Sequence, residues 1–129
     1  MSRLKLLSVF LLLAIILPEC SRREVVDEAP ELSVDMEIIP SPANPGPAIL
    51  MIHIMDANKT AMGELTLDIR GDMSHAGMTP IIVDAVIGET GTYAVPFEWT
   101  MAGDWFVTIS TTLPDGRTLL RTLPVRVEP

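Results

Sequence analysis

The sequence lacks most of what an enzyme inventory requires. One cysteine among 129 residues excludes an internal disulfide, and two histidines leave too little for a conventional zinc centre. Cations are scarce: nine Lys and Arg stand against seventeen Asp and Glu, a net charge of −8 that argues against nucleic acid or an anionic lipid surface as partner. Aromatics are few, with three Phe, two Trp and one Tyr, yet 48% of the residues are hydrophobic, so the chain is not disordered. No glycine-rich phosphate cradle follows a strand and no HExxH occurs. Ser74 beside His75 is no nucleophile–base pair, because adjacent residues point apart and no third group orients them. These absences exclude the usual enzyme classes.

A long apolar run is missing too. Residues 6–17 are apolar except for Ser8, and at about 1.5 Å per residue they reach roughly 18 Å, short of a ~30 Å hydrocarbon core. Arg3 and Lys5 precede this run and Pro18 ends it, so residues 1–19 read as an export signal. Cys20 follows directly, and Leu17-Pro18-Glu19-Cys20 resembles a bacterial lipoprotein signal, in which the cysteine carries the lipid anchor. An uncleaved N-terminal tether and an ordinary signal beside a stray thiol are the alternatives; each places the remaining chain outside the cytoplasmic membrane. Residues 20–31 are charged, with Pro30 near the end, as in a solvated linker.

From residue 32 to 129 the apolar period is two. Leu32, Val34, Met36 and Ile38 alternate with polar residues; a proline-rich turn covers 40–47; strands are expected over 48–56, 63–70 and 81–87. Residues 71–80 have loop composition. Tyr93, Val95, Phe97 and Trp99 share one face of the next strand, with Pro96 suggesting an edge or a bulge. Residues 105–111 and 118–127 form the last two strands, joined by Pro114-Asp115-Gly116. Arg121 interrupts the apolar side of the last one, so it lies at an exposed end or the strand changes face at Pro124. Seven short antiparallel strands without a convincing helix predict an immunoglobulin-like β-sandwich.

Methionine is what the chain has in excess, eight in all, and both histidines sit between methionines. Met73, His75 and Met78 bracket Gly77 in the expected loop. Met51, His53 and Met55 share one face of the second strand, with Leu50, Ile52 and Ile54 on the other. Thioether and imidazole donors together suit Cu(I), whereas Mg²⁺ and Ca²⁺ want oxygen. The loop triad is the first candidate site and the strand triad the second, since donors two apart on a strand stand nearly 7 Å apart at Cα. In both places methionine as apolar filler is the alternative. Asp72 could orient His75 by a hydrogen bond, or simply be solvated.

From residue 45 to 127 the chain resembles the YtkA-like domain family of small exported bacterial proteins. The resemblance is carried by the strand ending at Asp56, by Gly71-Asp72-Met73-Ser74-His75-Ala76-Gly77-Met78, by Gly91-Thr92-Tyr93, by Phe97-Glu98-Trp99-Thr100-Met101-Ala102-Gly103-Asp104-Trp105, by Pro114-Asp115-Gly116, and by Val125 and Val127. It implies an immunoglobulin-like sandwich, often lipid-anchored, associated with copper handling and the assembly of membrane oxidases. The expectation is a non-enzymatic, membrane-anchored domain of the cell envelope that binds Cu(I) as a carrier, chaperone or sensor, with a copper transporter or oxidase as possible partner. The alternative is a metal-free interaction module that uses a sheet edge or a loop.

Overall fold

The computed structural model describes residues 25–87 and 91–129. The expected signal at 1–19 and the anchor cysteine Cys20 lie outside the described residues. Among the described residues no helix is long and apolar enough to cross a membrane.

Seven strands follow one another among the described residues: β1 Ser33–Ile39, β2 Gly46–Met55, β3 Thr66–Met73, β4 Ile81–Ile87, β5 Thr92–Trp99, β6 Gly103–Thr112 and β7 Thr118–Val127. One sheet has the order β1-β2-β5 and the other β4-β3-β6-β7, with every pairing antiparallel. The expected all-β, seven-stranded sandwich is what forms. Each strand needs a partner from the facing sheet to bury its apolar side, and the period-two pattern supplies that side. Leu50, Ile52 and Ile54 of β2, Tyr93, Val95, Phe97 and Trp99 of β5, Leu67 and Ile69 of β3, and Val107 and Ile109 of β6 form a single core.

Aromatic rings set the spacing of the sheets at one end. Trp99 lies 4.8 Å from Phe97 and 5.4 Å from Trp105, centroid to centroid, tilted and edge-on respectively. Burying each such side chain contributes roughly 1.5–3 kcal/mol. Trp105 Nε1 donates to the Met101 carbonyl at 3.1 Å, whereas the buried Trp99 Nε1 has no partner among the described residues. Gly71 faces inward beneath the Phe97 ring, and a Cβ there would stand 2.6 Å from Phe97 Cζ. Buried Tyr93 fixes the 63–65 connection: its hydroxyl donates to the Gly63 carbonyl at 3.1 Å and accepts from the Leu65 amide at 3.2 Å. Burial pushes that phenol above its ordinary pKa.

Three local expectations are corrected. The loop expected to begin at Gly71 begins at Ser74 instead, because β3 pairs with β6 as far as Met73↔Trp105. Glycine and aspartate suggested a break, but Gly71 is needed under Phe97 and Asp72 faces outward to Arg70. The solvated linker is docked at its C-terminal end: Glu28 N–H donates to Thr118 O at 2.8 Å, Ala29 is fully buried, and Asp27 pairs with Arg121. Arg121 therefore lies neither at an exposed end nor beside a change of face. It stays on the inward side with Leu119 and Val125, and its Nη2 donates to the Ala29 and Leu32 carbonyls at 2.9 and 2.8 Å.

Candidate functional site

The two methionine–histidine clusters share a composition and differ in geometry. On β2 the aliphatic trio fills the core, which turns Met51, His53 and Met55 outward, all three half-buried. Register then decides their neighbours. His53 lies opposite Asp35 of β1 and Thr92 of β5; Met51 lies opposite Glu37 and Ala94; Met55 lies opposite Ser33. Residues directly opposite on an antiparallel pair have Cβ atoms about 5 Å apart. The Thr92 hydroxyl holds His53 Nδ1 at 3.2 Å, and Nε2 has no hydrogen-bond partner among the described residues. The ring is thus oriented through one nitrogen while the other stays available, between two flexible thioethers.

At the far end of the sandwich the second cluster is divided. Met73 is the last residue of β3, points into the core and is only 8% exposed. Its methyl packs on Gly103, where φ is +138° and a Cβ would stand 2.8 Å from Met73 Cε. His75 and Met78 lie beyond it in the exposed turn, where Gly77 adopts φ +84°. Asp72 does not turn to His75; Arg70 grips it by two hydrogen bonds of 2.8 and 3.0 Å across the outer face of β3.

A third thioether belongs to this end. The turn from β5 to β6 leads into β6 next to the end of β3, where the Ser74 amide donates to Asp104 O at 3.0 Å and extends the β3–β6 pairing. It carries Met101, 42% exposed, and Met78 in the 74–80 turn is 39% exposed. Sequence reading missed Met101 because its proximity to β3 follows from topology and not from spacing. Thr92 was missed for the same reason, since β2 and β5 are far apart in the chain. Asp35 was within reach of the sequence, because β1 and β2 are consecutive and their pairing fixes what faces His53. Among the described residues no three of His, Cys, Asp and Glu are gathered as a metal site, so any soft-metal site here depends on methionine sulfur.

The fold and this face define a class: a small seven-stranded β-sandwich that presents thioether and imidazole groups on one sheet and at one end. No protein-family model matches the chain, and no curated protein matches it. Among solved structures, the soluble domain of PmoD from Methylocystis sp. ATCC 49242 (Rockwell) aligns with a TM-score of 0.50 at 12% identity, over 75% of this chain and 90% of that one. The sporulation control protein Spo0M from Bacillus subtilis aligns with a TM-score of 0.47 at 11% identity, over 77% of this chain and 50% of that one. The likeness to the PmoD soluble domain is one of fold.

Proposed function

We propose that this chain is a non-enzymatic domain of the cell envelope, tethered to the membrane by its N-terminus, that binds Cu(I) as a carrier, chaperone or sensor. One observation carries the reading: Met51, His53 and Met55 stand together on the outer face of β2, with the imidazole held by Thr92. Thioether and imidazole match the softness of Cu(I), and methionine does not oxidise to a disulfide outside the cytoplasm. The basic start, the short apolar run and Cys20 support the tether. His75 and Met78, with Met73 behind them, are the second proposed donor set.

Titration of the full chain in non-ionic micelles with Cu(I), against a chromophoric chelator, tests this. Replacing His53 by Gln together with Met51→Leu and Met55→Leu removes donors while keeping volume. Affinity should fall at least about tenfold, or about 1.4 kcal/mol. Unchanged affinity in that variant and in a His75→Ala, Met78→Ala variant would end the reading. A second reading, a metal-free interaction module, is favoured by a row on the same face: Ile39 and Ile49 are 51% and 41% exposed and lie in register with Pro96. It predicts no bound metal and full tolerance of His53→Gln.

A further inference from the structure

A sandwich of two open sheets has four edge strands, here β1 and β5 in one sheet and β4 and β7 in the other. Unpaired edge amides and carbonyls invite another strand, and most edges carry a feature that prevents it. β5 has Pro96 in its middle. β4 pairs with β3 through a register shift between Leu67 and Ile69, and lies against β5. β7 carries Pro124, and its first residues are already engaged: Thr118 N–H donates to Glu28 Oε2 at 2.7 Å and Leu120 N–H to Asp27 Oδ1 at 3.2 Å.

β1 has none of these. Ser33–Ile39 contains no proline, glycine or lysine, and its pairing with β2 runs unbroken from Ser33↔Met55 to Ile39↔Ile49. Among the described residues no strand pairs with its other edge, which borders a groove of about 850 Å³ between β1 and β7. Val34, Met36 and Ile38 line the groove from β1, and Leu123 and Val125 from β7. The three β1 side chains and Leu123 are only partly covered, so apolar surface remains for a further strand to bury.

We propose that the β1 edge receives an extended segment of another protein as an added strand, with apolar residues alternating with Lys or Arg. The apolar residues would meet Val34, Met36 and Ile38, and the cations would lie beside Asp35 and Glu37, which alternate with them and are exposed. Charge also disfavours a second copy of this chain in the central registers. Every antiparallel β1-to-β1 register centred on Asp35, Met36 or Glu37 sets one carboxylate opposite another, which is destabilising. The acidic edge thus rejects itself and selects a basic partner, by main-chain hydrogen bonds for affinity and alternate side chains for specificity. This inference is independent of copper.

The test is amide exchange on the labelled full chain in non-ionic micelles, titrated with a nine-residue peptide alternating lysine and valine. Slowed exchange is expected along Ser33–Ile39. A twin peptide with glutamate in place of lysine should bind at least about tenfold more weakly, and the preference should shrink with added salt. Asp35→Lys with Glu37→Lys should reverse the order of the two peptides; the milder Asp35→Asn with Glu37→Gln should bring them level. No protection, protection centred on β4, β5 or β7, an order indifferent to these changes, or dimerisation through β1 would overturn the proposal.

Discussion

The strand cluster and the end cluster are built from the same short vocabulary, two methionines around one histidine, and the fold treats them in opposite ways. On β2, spacing of two within a strand keeps all three side chains on one side, and a core of isoleucine and leucine forces that side outward. At 73–78 the same spacing of two places Met73 inside, at the end of a strand, and His75 in a turn. The gap of nearly 7 Å between alternate residues, which weakens the strand triad as a ligand set, is also what keeps its members together. The turn offered convergence but lost one sulfur to the core. Methionine therefore has a structural role at one site and presents an open donor at the other.

Truncation gives the widest separation. Met73→Ala should cost about 2–5 kcal/mol, the range for removing a core methionine and leaving a cavity. Met55→Ala, on the half-buried outer face, should stay below about 1 kcal/mol. Chemical denaturation of both variants measures the difference, and equal losses would break the comparison. Gly103→Ala comes next. The added Cβ meets Met73 Cε at 2.8 Å on a backbone at φ +138°, so a loss of about 1–3 kcal/mol is expected. Combining it with Met73→Val, which withdraws the terminal methyl, should make the pair less costly than the sum of the two single changes. Smaller still is the split within the copper reading: His53→Gln should weaken Cu(I) about tenfold, and His75→Gln less than about threefold, by chelator competition.

The strands were legible because a two-sheet sandwich imposes the simplest pattern a chain can carry. Leu50, Ile52 and Ile54, or Tyr93, Val95, Phe97 and Trp99, declare a face without knowledge of any neighbour. The same alternation grouped Met51, His53 and Met55 on one face of β2, but that this face is the outer one follows from the burial of Leu50, Ile52 and Ile54 against the other sheet. What stayed hidden depends on pairings remote in sequence. Gly71 looks like a loop residue until Phe97 is seen to rest on it, and Thr92 has no local reason to hold His53. Arg121 looks misplaced on an apolar side until Asp27 and the Ala29 and Leu32 carbonyls arrive from more than ninety residues upstream for the first two, and nearly as many for the third.

That last contact sets the smallest effect, and it separates the clusters by position. The segment before β1 is fastened to β7 by Asp27 and Glu28 and to Arg117, just before β7, by Glu31, at the end of the sandwich where β1 begins and Met55 lies opposite Ser33. Burial works to raise the Asp27 carboxyl, but amides of Leu120 and Ala29 and the Arg121 charge outweigh it and hold it below its ordinary value. The Arg117 hydrogen bond lowers Glu31 likewise. Carboxyls depressed in the fold contribute stability at pH values above their unfolded range and lose it as pH falls through the folded values. The fastening should therefore be intact at pH 6 and weaken below about pH 4. Amide exchange at pH 6 and pH 3, corrected for intrinsic rates, should show residues 27–35 losing protection while β3 next to Met73 keeps it. Equal loss in both places would mean that acid melts the whole sandwich and that the strand cluster's flank has no separate clasp.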